Sequence, residues 1–253
     1  MTPPPTTAAP GTAALETIGL MKRFGAVAVA NDINFRLEAG ARHALIGPNG
    51  AGKTTFVNLL TGRLPASGGR VLLNGRDVTA ASQAARARLG LGRTFQINNL
   101  FPALSVLENI RLAVAERRGL LTPSRALVEE AHATLTPLGL ASDAGTAARE
   151  LPYGKQRLVE IAVALAQKPS VLLLDEPAAG VPSGESGLIL DVIERLPAGM
   201  AVLMIEHDMD LVFRFARRIT VLVRGAVLVE GTPDEIAADP RVREVYLGTR
   251  AHE

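Results

Sequence analysis

The sequence contains no cysteine. Disulfides, thiolate metal sites and a cysteine nucleophile are therefore excluded, although no compartment is. It also has no apolar run near the roughly 18 residues that a membrane-crossing helix requires. The longest candidates, Val171–Leu174 and Ala201–Ile205, are only strand-length. Neither sign of charge dominates: 27 Lys+Arg face 25 Asp+Glu, a net charge of +2. Recognition of nucleic acid by bulk charge is not expected from so even a balance. Lysine is scarce, occurring only at positions 22, 53, 155 and 168. Arginine supplies most of the positive charge, so Lys53 invites a role that arginine would not fill. The opening MTPPPTTAAPGTAA has neither the basic start nor the apolar stretch of a secretory signal. Its Pro/Thr/Ala bias reads as a flexible tail to about Ala14. The expectation is a chain soluble by itself and cytoplasmic.

What is present suits one large domain or two lobes sharing a core. The chain has 253 residues and 47% of them are apolar, enough for a substantial interior. No repeat of fixed period is visible. Alternating segments at Leu15–Leu20 and Asn34–Glu38, with turn signals at Phe24-Gly25 and Ala39-Gly40, predict antiparallel β structure. Ala44–Ile46 reads as a short apolar strand, followed by a glycine-rich loop and an apolar helix over Thr54–Thr61. Arg70–Gly75 reads as another strand ending in a turn. From about Ile97 to Arg149 apolar residues recur at helical spacing, and Pro123-Ser124 marks a helix start. Strands then alternate with helices: Val171–Leu174, Ser186–Leu196, Ala201–Ile205 and Met209–Ala216. A hairpin-like pair closes the pattern, Ile219–Val223 with Ala226–Val229 around Arg224-Gly225. The fold class is α/β, one parallel-sheet core with a helical excursion.

Gly47-Pro48-Asn49-Gly50-Ala51-Gly52-Lys53-Thr54 fits G-x-x-x-x-G-K-[ST] in full, between a short strand and an apolar helix. Glycines let backbone N–H groups turn onto phosphate oxygens, and the following helix offers its N-terminus to the same anions. Lys53 places a point charge at the β- and γ-phosphates, and the Thr54 hydroxyl is a Mg²⁺ ligand. Thr55 joins the phosphate-contacting set. An ordinary glycine turn is the bland alternative, and at average composition a chance match is on the order of one per cent. Downstream, Val171-Leu172-Leu173-Leu174-Asp175-Glu176-Pro177 is an apolar strand ending in two carboxylates. Ligands bind beyond the carboxyl ends of strands in open α/β sheets. Asp175 there would hold Mg²⁺ through water, and Glu176 would polarise an attacking water.

With these motifs the chain resembles the nucleotide-binding subunit of an ABC transporter, over about Leu15–Gly248. The resemblance implies a P-loop NTPase fold with a RecA-like parallel-sheet core, an antiparallel β subdomain and an α-helical subdomain at about 97–150. Residues 249–253 would be a tail. It implies ATP and Mg²⁺ as ligands. Gln96, in Thr94-Phe95-Gln96, would reach Mg²⁺ and the attacking water. His207, in Ile205-Glu206-His207-Asp208, would contact the γ-phosphate and sense its loss. Phe24 would stack on adenine. The signature matches Leu151-Pro152-Tyr153-Gly154-Lys155-Gln156, so Tyr153, Gly154 and Lys155 would meet the nucleotide of an opposite subunit. The remaining histidines, His43, His132 and His252, match no motif and read as structural or solvated.

Within the family the chain is most similar to the branched-chain amino-acid uptake type. That likeness lies in Arg93-Thr94-Phe95-Gln96, Asn98–Phe101, Val106–Asn109, Tyr153, Asp175–Gly180, Gly231-Thr232-Pro233 and Tyr246-Leu247-Gly248. It implies transmembrane permease subunits and a second ATP-binding subunit as partners, and an extracellular solute-binding protein indirectly. The chain would sit peripherally on the cytoplasmic face of the cell membrane. Two departures stand out. Pro152 replaces the signature serine, and Pro182 stands where an Asp or Asn is usual. Both lie on surfaces donated to a partner's nucleotide, so a heterodimer with a related cassette is expected, a homodimer being the alternative. A soluble ABC-type ATPase of repair, translation or cofactor assembly is the competing function.

Overall fold

The computed structural model describes residues 13–94, 100–119, 121–181 and 186–248. The described residues open with two long paired strands, β1 (Ala13–Phe24) and β2 (Val27–Glu38), joined through Gly25. β1 begins inside the stretch expected to be tail: Ala13 and Ala14 are buried, and Asn74 donates its N–H to the Ala14 carbonyl. Alternation along β2 buries Ile33, Phe35 and Leu37 on one face and exposes the residues between them. β3 (Arg42–Ile46) then leads through the glycine loop into α1 (Lys53–Thr61). β4 (Gly68–Leu73) and the short β5 (Arg76–Asp77) complete a four-stranded antiparallel sheet of order β2-β1-β4-β5.

α2 (Gln83–Arg88) and β6 (Leu91–Arg93) follow. α3 (Val106–Arg118) starts from a reciprocal cap: Ser105 Oγ accepts the Glu108 N–H while the Glu108 carboxylate accepts the Ser105 N–H. α4 (Ser124–Leu135) begins at the predicted Pro123-Ser124. After Leu135 the expected helical insert is not α-helical, but three short 3₁₀ turns. Pro137 removes a backbone donor there, and Gly139 turns the chain at φ 70°. α5 (Tyr153–Ala166) lies beyond the expected end of the insert, yet packs on α3 and α4. β7 (Val171–Asp175), α6 (Ser186–Glu194), β8 (Ala201–Ile205) and α7 (Met209–Phe215) resume the alternation. β9 (Arg218–Val223), β10 (Ala226–Gly231), α8 (Pro233–Ala238) and α9 (Pro240–Gly248) end it.

The second sheet has six strands in the order β10-β9-β3-β8-β7-β6. Its pairings are parallel except at the β9–β10 hairpin. β7 and β8 are buried along their whole length, which accounts for continuous apolar runs in place of alternation. Two apolar clusters cover the two faces of this sheet. One encloses Phe56, Val57 and Leu60 of α1 between the two sheets, against Leu15, Phe35, Leu45 and Leu203. The other packs α3 to α7 on the opposite face, around Ile110, Leu135, Val159, Leu174 and Ile193. Among the described residues no helix is long and apolar enough to cross a membrane.

Candidate functional site

The loop 47–52 leaves the carboxyl end of β3 and is braced from outside. Ala51 accepts the N–H of Gly225 in the β9–β10 turn (2.8 Å), and Gly225 accepts the N–H of Asn31 on β2 (2.8 Å). Gly52 begins α1 at φ 99°, where a Cβ would also fall 2.9 Å from the Val29 carbonyl oxygen. Glycine is required there on both counts. No side chain caps α1 and its first turn holds no acid. Its N–H groups therefore face outward as an anion site, with Thr54 and Thr55 in the first turn. The Lys53 ammonium donates to the carbonyls of Gly47 (2.5 Å) and Pro48 (3.2 Å). Burial lowers its pKa, and the charges of Glu176 and Asp175 oppose that shift.

Asp175 ends β7 beside this loop and is almost fully buried. Its Oδ2 accepts from the Arg93 guanidinium at 2.8 Å, while a second Arg93 nitrogen donates to Asn58 Oδ1 of α1 at 2.9 Å. Glu176 takes the left-handed conformation (φ 47°), its N–H held by the Ile205 carbonyl at 2.9 Å. A non-glycine residue there carries backbone strain that re-aims its side chain relative to Asp175. His207 follows β8 with an exposed imidazole, Nδ1 3.8 Å from Glu176 Oε1. Glu206 beside it is buried. Its carboxylate accepts the N–H groups of His207 (3.0 Å), Ala178 (3.4 Å) and Asp208 (3.5 Å). Burial raises the Glu206 pKa, and those three donors oppose the rise.

The structure thus brings Gly47, Pro48, Asn49, Gly50, Ala51, Gly52, Lys53 and Thr54 together with Asp175, Glu176 and His207 at one edge of the parallel sheet. Phe24 ends β1 half-exposed, with the Lys22 ammonium 5.0 Å from its ring centroid. Tyr153, Gly154 and Lys155 open α5, and none of them hydrogen-bonds to the phosphate loop. Within its own chain, Lys155 donates to both carboxylate oxygens of Asp143 (2.8 and 2.9 Å). The N-cap of α5 is Pro152, which makes no side-chain cap bond. Gln96 and Pro182 lie outside the described residues. Among those described, no group of three His, Cys, Asp or Glu is placed to hold a metal. Of the expected metal set, the Thr54 hydroxyl and the Asp175 carboxylate are the donors among the described residues. These are hard oxygen ligands, and so few of them suit Mg²⁺, which keeps several waters and takes the rest of its shell from phosphate.

Sequence reasoning missed three residues. Asn58 and Glu206 carry no pattern of their own. Arg93 was visible only as part of the subgroup likeness. Its signal was a charge at the end of a short strand that pairs with the wholly apolar Val171–Leu173, where burial demands a partner. At the other end of the chain, Tyr246 on α9 buries its hydroxyl. That burial pushes its pKa up to about 12, with the Gly47 backbone opposing the rise.

Backbone donors, one lysine and adjacent carboxylates on one edge of a parallel sheet are the means by which P-loop nucleotide-binding proteins handle phosphate. Comparison with known proteins narrows that class. The ABC transporter family matches residues 30–179, and the branched-chain amino acid ATP-binding cassette transporter family matches residues 226–252. The chain is 40% identical to the high-affinity branched-chain amino acid transport ATP-binding protein LivG of Escherichia coli K12, over 92% of this chain and 97% of that protein. It is 38% identical to the corresponding protein BraF of Pseudomonas aeruginosa, over 92% and 97%. Among solved structures, the ADP conformation of MJ1267, an ATP-binding cassette of an ABC transporter, superimposes with a TM-score of 0.82 at 32% identity, covering 93% of this chain and 99% of that one. The chain belongs to the ABC transporter family, as an ATP-binding and ATP-hydrolysing cassette.

Proposed function

We propose that this cassette powers uptake of branched-chain or related amino acids, from the cytoplasmic face of the membrane, through permease subunits that it contacts with its α3–α5 lobe. An extracellular solute-binding protein would deliver the cargo to those subunits. The observation that carries the proposal is similarity to LivG and BraF over 92% of the chain, together with the 226–252 match. In this reading two cassettes close head-to-tail around two ATP molecules. Closure follows from differential affinity, because each γ-phosphate is bound by both subunits only in the closed state. Phe24 stacks on adenine. The loop amides and Lys53 bind the phosphates and stabilise the charge that develops during transfer. Glu176 orients and deprotonates the attacking water for in-line displacement, and His207 and Gln96 hold its geometry at the γ-phosphate. Thr54 and Asp175 would hold Mg²⁺, which when bound neutralises phosphate charge. Loss of the bridging phosphate reopens the pair.

Tyr153, Gly154 and Lys155 would act on the partner's nucleotide. With Pro152 at the α5 N-cap, that position supplies neither a side-chain hydroxyl nor a backbone donor. The partner's site is therefore the weaker one, and the pair is a heterodimer. Co-purification from detergent-solubilised membranes and uptake of labelled leucine would test the whole reading. Permease subunits should co-purify, and Glu176→Gln should abolish uptake. Normal leucine uptake in cells lacking this chain would refute it. For the asymmetry, ATPase rates are compared with Glu176→Gln in this chain and with the equivalent change in the partner. Equal losses would remove that part.

A further inference from the structure

Arg93 and Asp175 form a nearly dry ion pair. Both side chains are more than nine-tenths buried, at 7% and 8% exposure, and the closest approach is 2.8 Å. The sheet register accounts for the contact. Arg93 pairs with Leu173 across β6 and β7, and Asp175 lies two residues farther along β7, on the same face as Leu173. The second arm of the guanidinium reaches Asn58, one helical turn after Thr54 on the same face of α1. One arginine therefore ties together the helix bearing Thr54 and the strand bearing Asp175, the two groups proposed to hold Mg²⁺. An arginine stays charged at any ordinary pH, and its fork fixes a carboxylate by direction as well as by charge. It is Oδ2 of Asp175 that accepts from Arg93 in this contact.

We propose that Arg93 is a positioning residue for the metal site: it neutralises Asp175 when no metal is bound and fixes which carboxylate oxygen is presented to Mg²⁺. This rests on the reading of Asp175 as a Mg²⁺ ligand. A buried carboxylate needs a cation. With Arg93 in place that need is met, so metal alone gains little by binding and enters with the nucleotide phosphates. Without Arg93, Asp175 loses its direct ion-pair partner, keeps only the more distant field of Lys53, and recruits Mg²⁺ by itself.

The test is thermal unfolding of the nucleotide-free protein with MgCl₂ added, against NaCl at matched ionic strength. Wild type should not respond to about 10 mM Mg²⁺. Arg93→Met should start at a lower Tm and regain roughly 3–6 °C with Mg²⁺ alone, as expected at about tenfold excess over its Kd. Arg93→Lys, which keeps the charge, should stay silent. Asn58→Ala, which loosens the same cluster without removing charge, should also stay silent. If Arg93→Met does not fold, Arg93→Gln takes its place, since it is neutral but can still donate to Asp175. An absent response in the neutral variants, or an equal response in Asn58→Ala, would overturn the proposal. Fluorescent ATP titrated with and without Mg²⁺ separates the two readings. If Mg²⁺ fails to tighten ATP binding in wild type, or Asp175→Asn leaves that tightening intact, the metal-ligand reading falls and takes this one with it. If that tightening depends on Asp175 while the neutral variants ignore Mg²⁺ alone, only the Arg93 role fails.

Discussion

His207 Nδ1 lies 3.8 Å from Glu176 Oε1 and 3.7 Å from Glu206 Oε2, so one imidazole stands between a carboxylate facing the site and one buried behind it. Glu206 holds the backbone of the His207 turn, while Glu176 is the carboxylate on the side of the phosphate loop. Glu176→Gln should keep ATP binding and lose turnover by about 10² to 10⁴, the usual contribution of a general base. His207→Ala should also lose turnover while its Tm stays near wild type, because the ring is 68% exposed. Single-turnover hydrolysis beside equilibrium ATP binding separates the two effects. Near-normal turnover in Glu176→Gln would contradict its role.

Lys53 is half-buried, with two carbonyls as its hydrogen-bond acceptors and two carboxylates in its field. A compact ammonium can exchange those carbonyls for phosphate oxygens by turning about its stem. A guanidinium fork is larger and planar. Lys53→Ala should weaken ATP binding by on the order of 10²-fold, about the effect of losing one desolvated charge contact. Lys53→Arg should not rescue it. Isothermal titration with ATP measures both, and tight binding by Lys53→Ala would remove the residue from the phosphate site.

Much of this architecture was legible because its determinants are local. The phosphate loop needs glycines at fixed offsets. β7 and β8 are continuous apolar runs because both of their faces are covered. The Arg224-Gly225 turn sits where the hairpin was expected. The determinants of the rest lie elsewhere in the chain. Whether α5 belongs with α3 and α4 is decided by packing across dozens of residues, not by its own periodicity. The partnership of Arg93, Asn58 and Asp175 spans three elements, and no spacing rule connects them. The motif marks Lys155 as a contact for a partner's nucleotide, but not what holds it within its own chain. Its ammonium is held by Asp143, twelve residues away in a 3₁₀ turn that the helical spacing did not foresee.

Gly52 tests the bracing of the loop from outside. Its φ of 99° disfavours any side chain, and a Cβ would press on the Val29 carbonyl of β2. Gly52→Ala should cost about 1–3 kcal/mol of stability and weaken ATP binding with it, because strain and clash act on the same turn. Chemical denaturation gives the first quantity and nucleotide titration the second. A stable variant that binds ATP normally would show that β2 does not constrain the loop.

His43 lies in the core, edge-on to Phe35 with ring centroids 5.1 Å apart, its Nε2 2.8 Å from the Thr220 hydroxyl. That hydroxyl donates to Glu230, which pairs with Arg218. Burial pushes the His43 pKa down to about 4, with Glu230 raising it and Arg218 lowering it. The folded protein therefore carries neutral His43 down to acidic pH, while the unfolded chain takes up a proton near pH 6.5. Stability from this group is complete above about pH 6.5 and is lost as the pH falls toward 4, by on the order of 3 kcal/mol. Carboxylates titrate in part of the same window, so the informative quantity is the difference from His43→Gln, which keeps a polar partner for Thr220 and cannot titrate. Urea midpoints measured from pH 7.5 to 4.5 should converge as wild type loses its advantage. Parallel curves across that range would mean that His43 is not held neutral by the fold.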